Sequence, residues 1–508
     1  MTPAIAPHLM ATTPGGVLLI LSVIAPVIGI LALWVVRPRD IEWVAITTLA
    51  VNLALSAAAF HAVVGRDAVL VYLVGDWTPP LGLALRADGI AVVLMAMTAV
   101  IMAATALYAR GQFGFAVDGP ERRRPMIFWT MLLAITAALN LIFTGEDLFN
   151  LYVGLELLTF AAVPLVSLDG SRNTLAAALR YLVFALAGSV LYLLGTAIIY
   201  GAYGTLDLVI LAGVRGPDSA LLVAIGLMTA GLIAKTALFP LHLWLPPAHA
   251  SAPAAASAVL SALVVKGSFF LILRLCFDLV PAGIGAIGAD LLGILGCGAI
   301  ILGSVMALRQ TRLKLLVAYS TVAQLGYLLL VFPLAGGGEA ASPFAGIAWT
   351  AGVMQLLAHA FAKAAMFMAA GLVYEAIGHD RIDGFTGLGR VAPLTVLTLT
   401  LGGLSLMGLP PSGGFSAKWM LLGAALGEGA WWWAVVIIIG GLLAAFYVFR
   451  ILVPAYMQPE QPVTRQHQVP LMRELAALTL ALIAILLGLL PLAPWPLLAI
   501  GRIAGAMP

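Results

Sequence analysis

Apolar runs long enough to cross a bilayer recur along the whole of this 508-residue chain, separated by short charged or Pro/Gly-rich breaks, and they leave it few folds to adopt. A helical crossing needs about 20 predominantly apolar residues. About fourteen runs meet that measure, centred near Ile24, Leu55, Met95, Leu133, Leu158, Phe184, Leu227, Leu263, Leu295, Leu328, Met366, Leu401, Ile437 and Ile483. Composition agrees: 63% of residues are hydrophobic and 9% charged, where soluble domains average about 45–50% and about 25%. The expectation is an all-α polytopic membrane protein integral to the lipid bilayer, with no room for a sizeable soluble domain.

Loop charges orient the chain. Sixteen basic residues lie beside odd-numbered connections (37, 39, 110, 122–124, 172, 180, 309, 312, 314, 381, 390, 450, 465, 473), and four flank the even ones (66, 86, 215, 274). The positive-inside rule makes the odd loops cytoplasmic, which with an even number of crossings sets both termini on the outer side. No basic n-region precedes the first apolar run, so it reads as an uncleaved span. The net charge of +3 is that of cytoplasmic loops and argues for no nucleic-acid partner. Cys276 and Cys297 form no motif and read as packing residues.

Only five lysines occur, and Lys235, Lys266, Lys363 and Lys418 lie inside apolar segments. A central ammonium costs about 2.5–3.5 kcal/mol on insertion scales, so each needs a reason to be there. Burial can move a lysine pKa far enough to release a proton near neutral pH, which arginine does not do. The pattern reads as a membrane protein that moves protons.

Polar residues concentrate in three places. In residues 145–166, Glu156 sits about one and a half helical turns beyond Asn150 in an otherwise apolar span. Such a carboxylate is functional by default and needs a partner, the alternative being a cap from a neighbouring hydroxyl or backbone group. Glu146 and Asp147 stand where a helix begins and suit its dipole. In residues 231–275, Pro240, Pro246 and Pro247 interrupt the helix between Lys235 and Lys266. Broken backbone at membrane depth survives only where protein or a hydrated cavity satisfies it. His242 and His249 flank this break as proton relays or as hydrogen-bonded structural residues. Their spacing, with no carboxylate or thiol cluster nearby, is poor support for a metal. In the C-terminal half, His359 and Lys363 are four apart on one helical face, and the Gly-Leu-Pro-Pro-Ser-Gly-Gly run at 408–414 breaks another span just before Lys418. Broken segments at corresponding places in two halves mark repeated transporter units with the working site at the break.

Leu243-Trp244-Leu245-Pro246 with His249, SALVVKGSFFLILR around Lys266, LKLLVAYSTVAQLGY at 313–327, HAFAKAAMFMAAG at 359–371 and GLPPSGGFSAKW at 408–419 together resemble the antiporter-like subunit family shared by Mrp-type cation/proton antiporters, respiratory complex I and membrane-bound hydrogenases. The resemblance runs from roughly residue 85 to 455. It implies a fourteen-helix fold with two inverted five-helix repeats, broken seventh and twelfth helices and a hydrated polar axis at mid-membrane. The implied divisions are 1–115 (helices 1–3), 116–280 (first repeat), 281–457 (second repeat) and 458–508 (helix 14). By motif position Glu156 and Lys235 would be the glutamate–lysine pair, Lys266 the central lysine, His359 with Lys363 the relay, and Lys418 the terminal lysine.

Lys418, the His359–Lys363 spacing and a chain that stops soon after the fourteenth span resemble D-type subunits of Mrp antiporters. Pro247 and the AAASAV segment at 254–259 depart from the family pattern beside His249. The resemblance implies partner membrane subunits, H⁺ and Na⁺ as transported ions, and a bacterial inner membrane; the alternative is a proton-pumping subunit of a complex I-like or hydrogenase assembly. No dinucleotide, phosphate-binding, haem or iron–sulfur motif is read, so no cofactor or metal is expected and the chain reads as a transporter subunit rather than an enzyme. Four lysines sharing one clear mid-span acid cannot all be charged cheaply, so the expected mechanism shares a mobile proton among them.

Overall fold

The computed structural model describes residues 11–113, 123–214, 219–280, 285–336, 342–458 and 466–502. The expected divisions at 115/116 and 280/281 fall on or beside residues outside this set, as do Arg122, Arg215 and Arg465 of the loop-charge pattern. The chain is a polytopic helical membrane protein. Among the described residues, thirteen helices are long and apolar enough to cross a bilayer. In order they are Val17–Val35, Pro38–Arg66, Gly89–Ala109, Arg123–Thr144, Leu148–Val166, Arg172–Tyr203, Ser219–Thr236, Ala254–Leu279, Ala286–Leu308, Leu313–Gly336, Ala345–Ile377, Trp431–Tyr456 and Leu471–Leu489. The run expected near Leu401 is two shorter helices, Pro393–Met407 and Gly413–Gly427, which take the twelfth place in the order. The eight-residue interval after Thr236 and the short helix Leu245–Ser251 likewise divide the seventh crossing from the eighth.

Burial sorts these helices into an inner and an outer set. Every residue in the most apolar window of Ala254–Leu279 is buried, against 28% in Val17–Val35. The outer helices turn Leu179, Val190, Ile294 and Phe446 outward, the apolar skin expected where the solvent is lipid. His359 and all lysines but Lys235 and Lys418 lie on the three innermost helices, Ala254–Leu279, Leu313–Gly336 and Ala345–Ile377.

One element escapes the sequence reading. Leu70–Leu73 and Ala84–Ala87 form an antiparallel hairpin between the second and third crossings, with Leu70 paired to Ala87 and Leu73 to Ala84. The helices carrying the candidate residues pack unusually closely. A Cβ on Gly231 would stand 2.3 Å from the Gly188 carbonyl oxygen, so Arg172–Tyr203 and Ser219–Thr236 touch backbone to backbone. Small residues permit this approach between helices in lipid.

Candidate proton site

Asp147 begins the helix that carries Glu156. Its carboxylate accepts from the backbone N–H groups of Phe149 and Asn150, each at 2.9 Å, as a helix cap does. Ten residues on from Glu146, Glu156 faces the crossings Arg172–Tyr203 and Ser219–Thr236. Its Oε1 accepts from Lys235 Nζ at 3.0 Å and from the Ser189 hydroxyl. Lys235 also donates to Thr159 Oγ1 at 3.0 Å and lies 3.5 Å from the Leu155 carbonyl oxygen. The carboxylate therefore has both a charged partner and a capping hydroxyl, the two alternatives open on sequence. A small cavity of about 10 Å³, room for about one water, adjoins the pair, lined by Thr159, Lys235, Tyr181, Val264 and Ser268 among others. It extends from the pair toward the helix of Lys266.

Lys235 occupies the last turn of its helix, and the break that follows is satisfied largely by protein. The Trp244 indole N–H donates to the Ala234 carbonyl at 2.9 Å, and Leu238 N–H to that of Ile233 at 3.0 Å. Thr236 then bonds Ser268 at 2.8 Å, tying the end of this helix to the next crossing.

Lys266 is completely buried and donates to the carbonyl of Ser261 at 2.6 Å. That acceptor is free because Leu260–Val264 winds as a π-helix, and local π-winding frequently accompanies functional positions. Lys363, also completely buried, donates to the Val317 carbonyl at 2.9 Å and to Ser320 Oγ at 2.5 Å. Lys418 exploits the second break. Its Nζ donates to the carbonyls of Leu406, at 2.6 Å, and Met407, at 3.3 Å, and lies 4.5 Å from the centre of the Tyr327 ring. The interrupted helix thus presents its negative C-terminal end to an ammonium. Gly408 closes that end at φ +82°, and Ser412 caps the helix that follows. Gln324 reaches the same Leu406 carbonyl at 2.9 Å and receives the Gln355 amide at 2.9 Å.

The lysines differ in their counter-charges. Among the described residues, Glu156 is the one carboxylate within 4 Å of any of the four, and it serves Lys235; Lys266, Lys363 and Lys418 are held by neutral carbonyls, a hydroxyl and an aromatic face. His359 is within electrostatic reach of Lys266, Lys363 and Lys418, and among the described residues neither of its ring nitrogens has a hydrogen-bond partner. His249 stacks on Phe367 at 4.7 Å within reach of Lys266, Lys314 and Lys363. His242 stacks on Phe239 within the break at 5.8 Å, and no hydrogen bond joins it to a lysine among the described residues.

The sequence reading singles out neither Ser189, Thr159 nor Ser320, and takes a fourth contributor, Lys314, as a loop charge. Thr159 is legible in principle, three residues beyond Glu156 on the same face. Ser189 is not, because its 33-residue separation from Glu156 is closed only by tertiary packing. Lys314, expected in a loop, is instead in the first helical turn of the tenth crossing and donates to the Ala252 carbonyl beside His249.

Residues 145–444 match the family described as NADH:quinone oxidoreductase/Mrp antiporter, transmembrane. The chain is 35% identical over 426 residues to NADH-quinone oxidoreductase subunit N of Desulforudis audaxviator, covering 82% of each protein. It is 29% identical over 393 residues to the D-type subunit of the Na⁺/H⁺ antiporter of Bacillus subtilis, covering 76% of each. Its fold superimposes on a chain of the membrane-bound sulfane sulfur reductase, an archaeal respiratory membrane complex, with a TM-score of 0.85, 26% identity and coverage of 96% and 97%. A chain of the Mrp complex from a Dietzia species gives 0.84, with 24% identity and coverage of 96% and 98%. The buried lysines, the divided crossings and these matches together place the chain in the NADH:quinone oxidoreductase/Mrp antiporter transmembrane family.

Proposed function

We propose that this chain is the proton-translocating subunit of a multisubunit monovalent cation (Na⁺)/H⁺ antiporter in a bacterial inner membrane. The observation that carries the proposal is the Glu156–Lys235 pair, its lysine buried and its carboxylate largely so, together with three buried lysines that among the described residues have only neutral partners. Such a row cannot hold its full charge without strong mutual repulsion, so protons are shared along it. In this reading Glu156 holds Lys235 protonated. When the pair separates, Lys235 yields its proton across the cavity toward Lys266, and His359 with Lys363 passes charge on to Lys418. His249 is a secondary relay and His242 a structural residue of the break. Two five-helix units, 116–280 and 281–457, would each contribute one divided helix, the fourth of its unit. The identity to the D-type Na⁺/H⁺ antiporter chain supports the antiporter assignment.

The second reading, a proton-pumping subunit of an NADH:quinone oxidoreductase-like or hydrogenase complex, is favoured by the higher identity to subunit N. Both readings use the same lysines and differ in what drives them. Dissipation of a pH gradient in everted vesicles separates them: dependence on Na⁺ or K⁺ supports the antiporter, and cation-independent proton movement supports the redox-driven assembly.

A further inference from the structure

A second buried ionic group lies away from the lysine row. Asp88, Glu146, Asp207 and Asp278 meet Arg86, Arg274 and Arg502 where the even-numbered connections and the C-terminal tail gather at one end of the molecule. Arg274 bonds Asp88 at 2.6 Å and Asp278 at 3.3 Å. Arg86 stands 3.4 Å from Glu146 and 3.8 Å from Asp88. It also donates to the Gly501 carbonyl, while Gly89 N–H donates to that of Ile500 at 3.1 Å, so the tail closes over the group. Arg502 packs over the Trp349 ring.

Among the described residues, four carboxylates and three guanidinium groups share this buried region. The acids are not equivalent. Asp88 accepts from Ala91 N–H as well as from arginine, and Asp207 accepts from Ile210 N–H. Glu146 is 3% exposed, shares one oxygen with Arg86, and buries its other oxygen without a hydrogen-bond partner among the described residues. Asp147, its neighbour, is occupied as a helix cap.

We infer that this group is a second proton-binding site, at the even-loop end of the molecule, and that Glu146 is the carboxyl that takes up and releases its proton. The inference rests on the proton-translocating reading. Glu146 immediately precedes the Asp147 cap of the helix Leu148–Val166 that carries Glu156, so that one helix joins the site to the Glu156–Lys235 pair. Burial, partly offset by Arg86, pushes the Glu146 carboxyl up to about 7. With the folded value above the ordinary one, its contribution to stability is full below about pH 4.5 and is lost as pH rises toward 7.

The test is Glu146→Gln, which copies the protonated carboxyl, in the full assembly, with Lys235→Ala alongside. The Tm of the variant relative to wild type is expected to rise from pH 5 to pH 8, and transport to fall at least tenfold with its ionisation near pH 7 gone. A Tm difference constant with pH, wild-type transport, or failure of the glutamine variant to assemble would each overturn the inference. Loss of transport in Lys235→Ala with full activity in Glu146→Gln would remove this site alone. Full activity in Lys235→Ala would instead remove the reading beneath it.

Discussion

Lys235 Nζ stands 3.0 Å from Glu156 Oε1, and the hydroxyl of Ser189 bonds the same carboxylate oxygen, so three helices meet at one ion pair. Removing one partner of a buried pair strands the other and costs about 3–5 kcal/mol, whereas replacing both with apolar residues of similar size is often neutral. Glu156→Met and Lys235→Met are each expected to lower the Tm of the purified assembly, and the double variant to regain most of that loss. A thermal double-mutant cycle measures this coupling; strictly additive losses would show that the two side chains do not depend on each other.

The pair relies on a backbone contact behind it. Gly188 and Gly231 approach so closely that a Cβ on Gly188 would stand 2.5 Å from the Gly231 oxygen and 3.2 Å from Lys235 Cγ. Overpacking of this kind costs about 1–3 kcal/mol. Gly231→Ala is therefore expected to lower Tm and transport together. Gly226→Ala on the same helix meets nothing within 4 Å, and is expected to be neutral or slightly stabilising because alanine is the better helix former.

Lys418 and Lys363 separate charge from proton transfer. Arginine in either place keeps the positive charge but does not release a proton at working pH. Lys418→Arg and Lys363→Arg are expected to assemble at near-wild-type levels and to lose most proton transport, measured as ΔpH formation or dissipation in vesicles. Retained transport in both would mean that these positions supply a field rather than a proton.

Much of this arrangement was legible because lipid makes hydropathy decisive. Apolar runs marked the crossings, and Pro240 and the 408–414 run marked the places where helices end. Glu156 and the four lysines were conspicuous because charge in such segments is rare. What stayed hidden depends on pairing across long separations. Arg86 and Arg274 read as loop charges by position, yet each turns inward to a carboxylate from another part of the chain. Glu146 and Asp147 looked alike as acids at a helix start; Asp147 caps the helix, and Glu146 turns into the ionic group. The 70–73/84–87 hairpin was masked because its short strands carry no alternation strong enough to separate them from neighbouring apolar runs.

The most direct test of proton movement along the lysine row is ΔpH dissipation in everted vesicles carrying the full assembly, comparing wild type with Lys235→Ala and Lys418→Ala at matched expression. Loss of proton movement in both variants, with the assembly intact, is the expected result. Undiminished proton movement in both would contradict it, because the proposed path runs from Lys235 to Lys418.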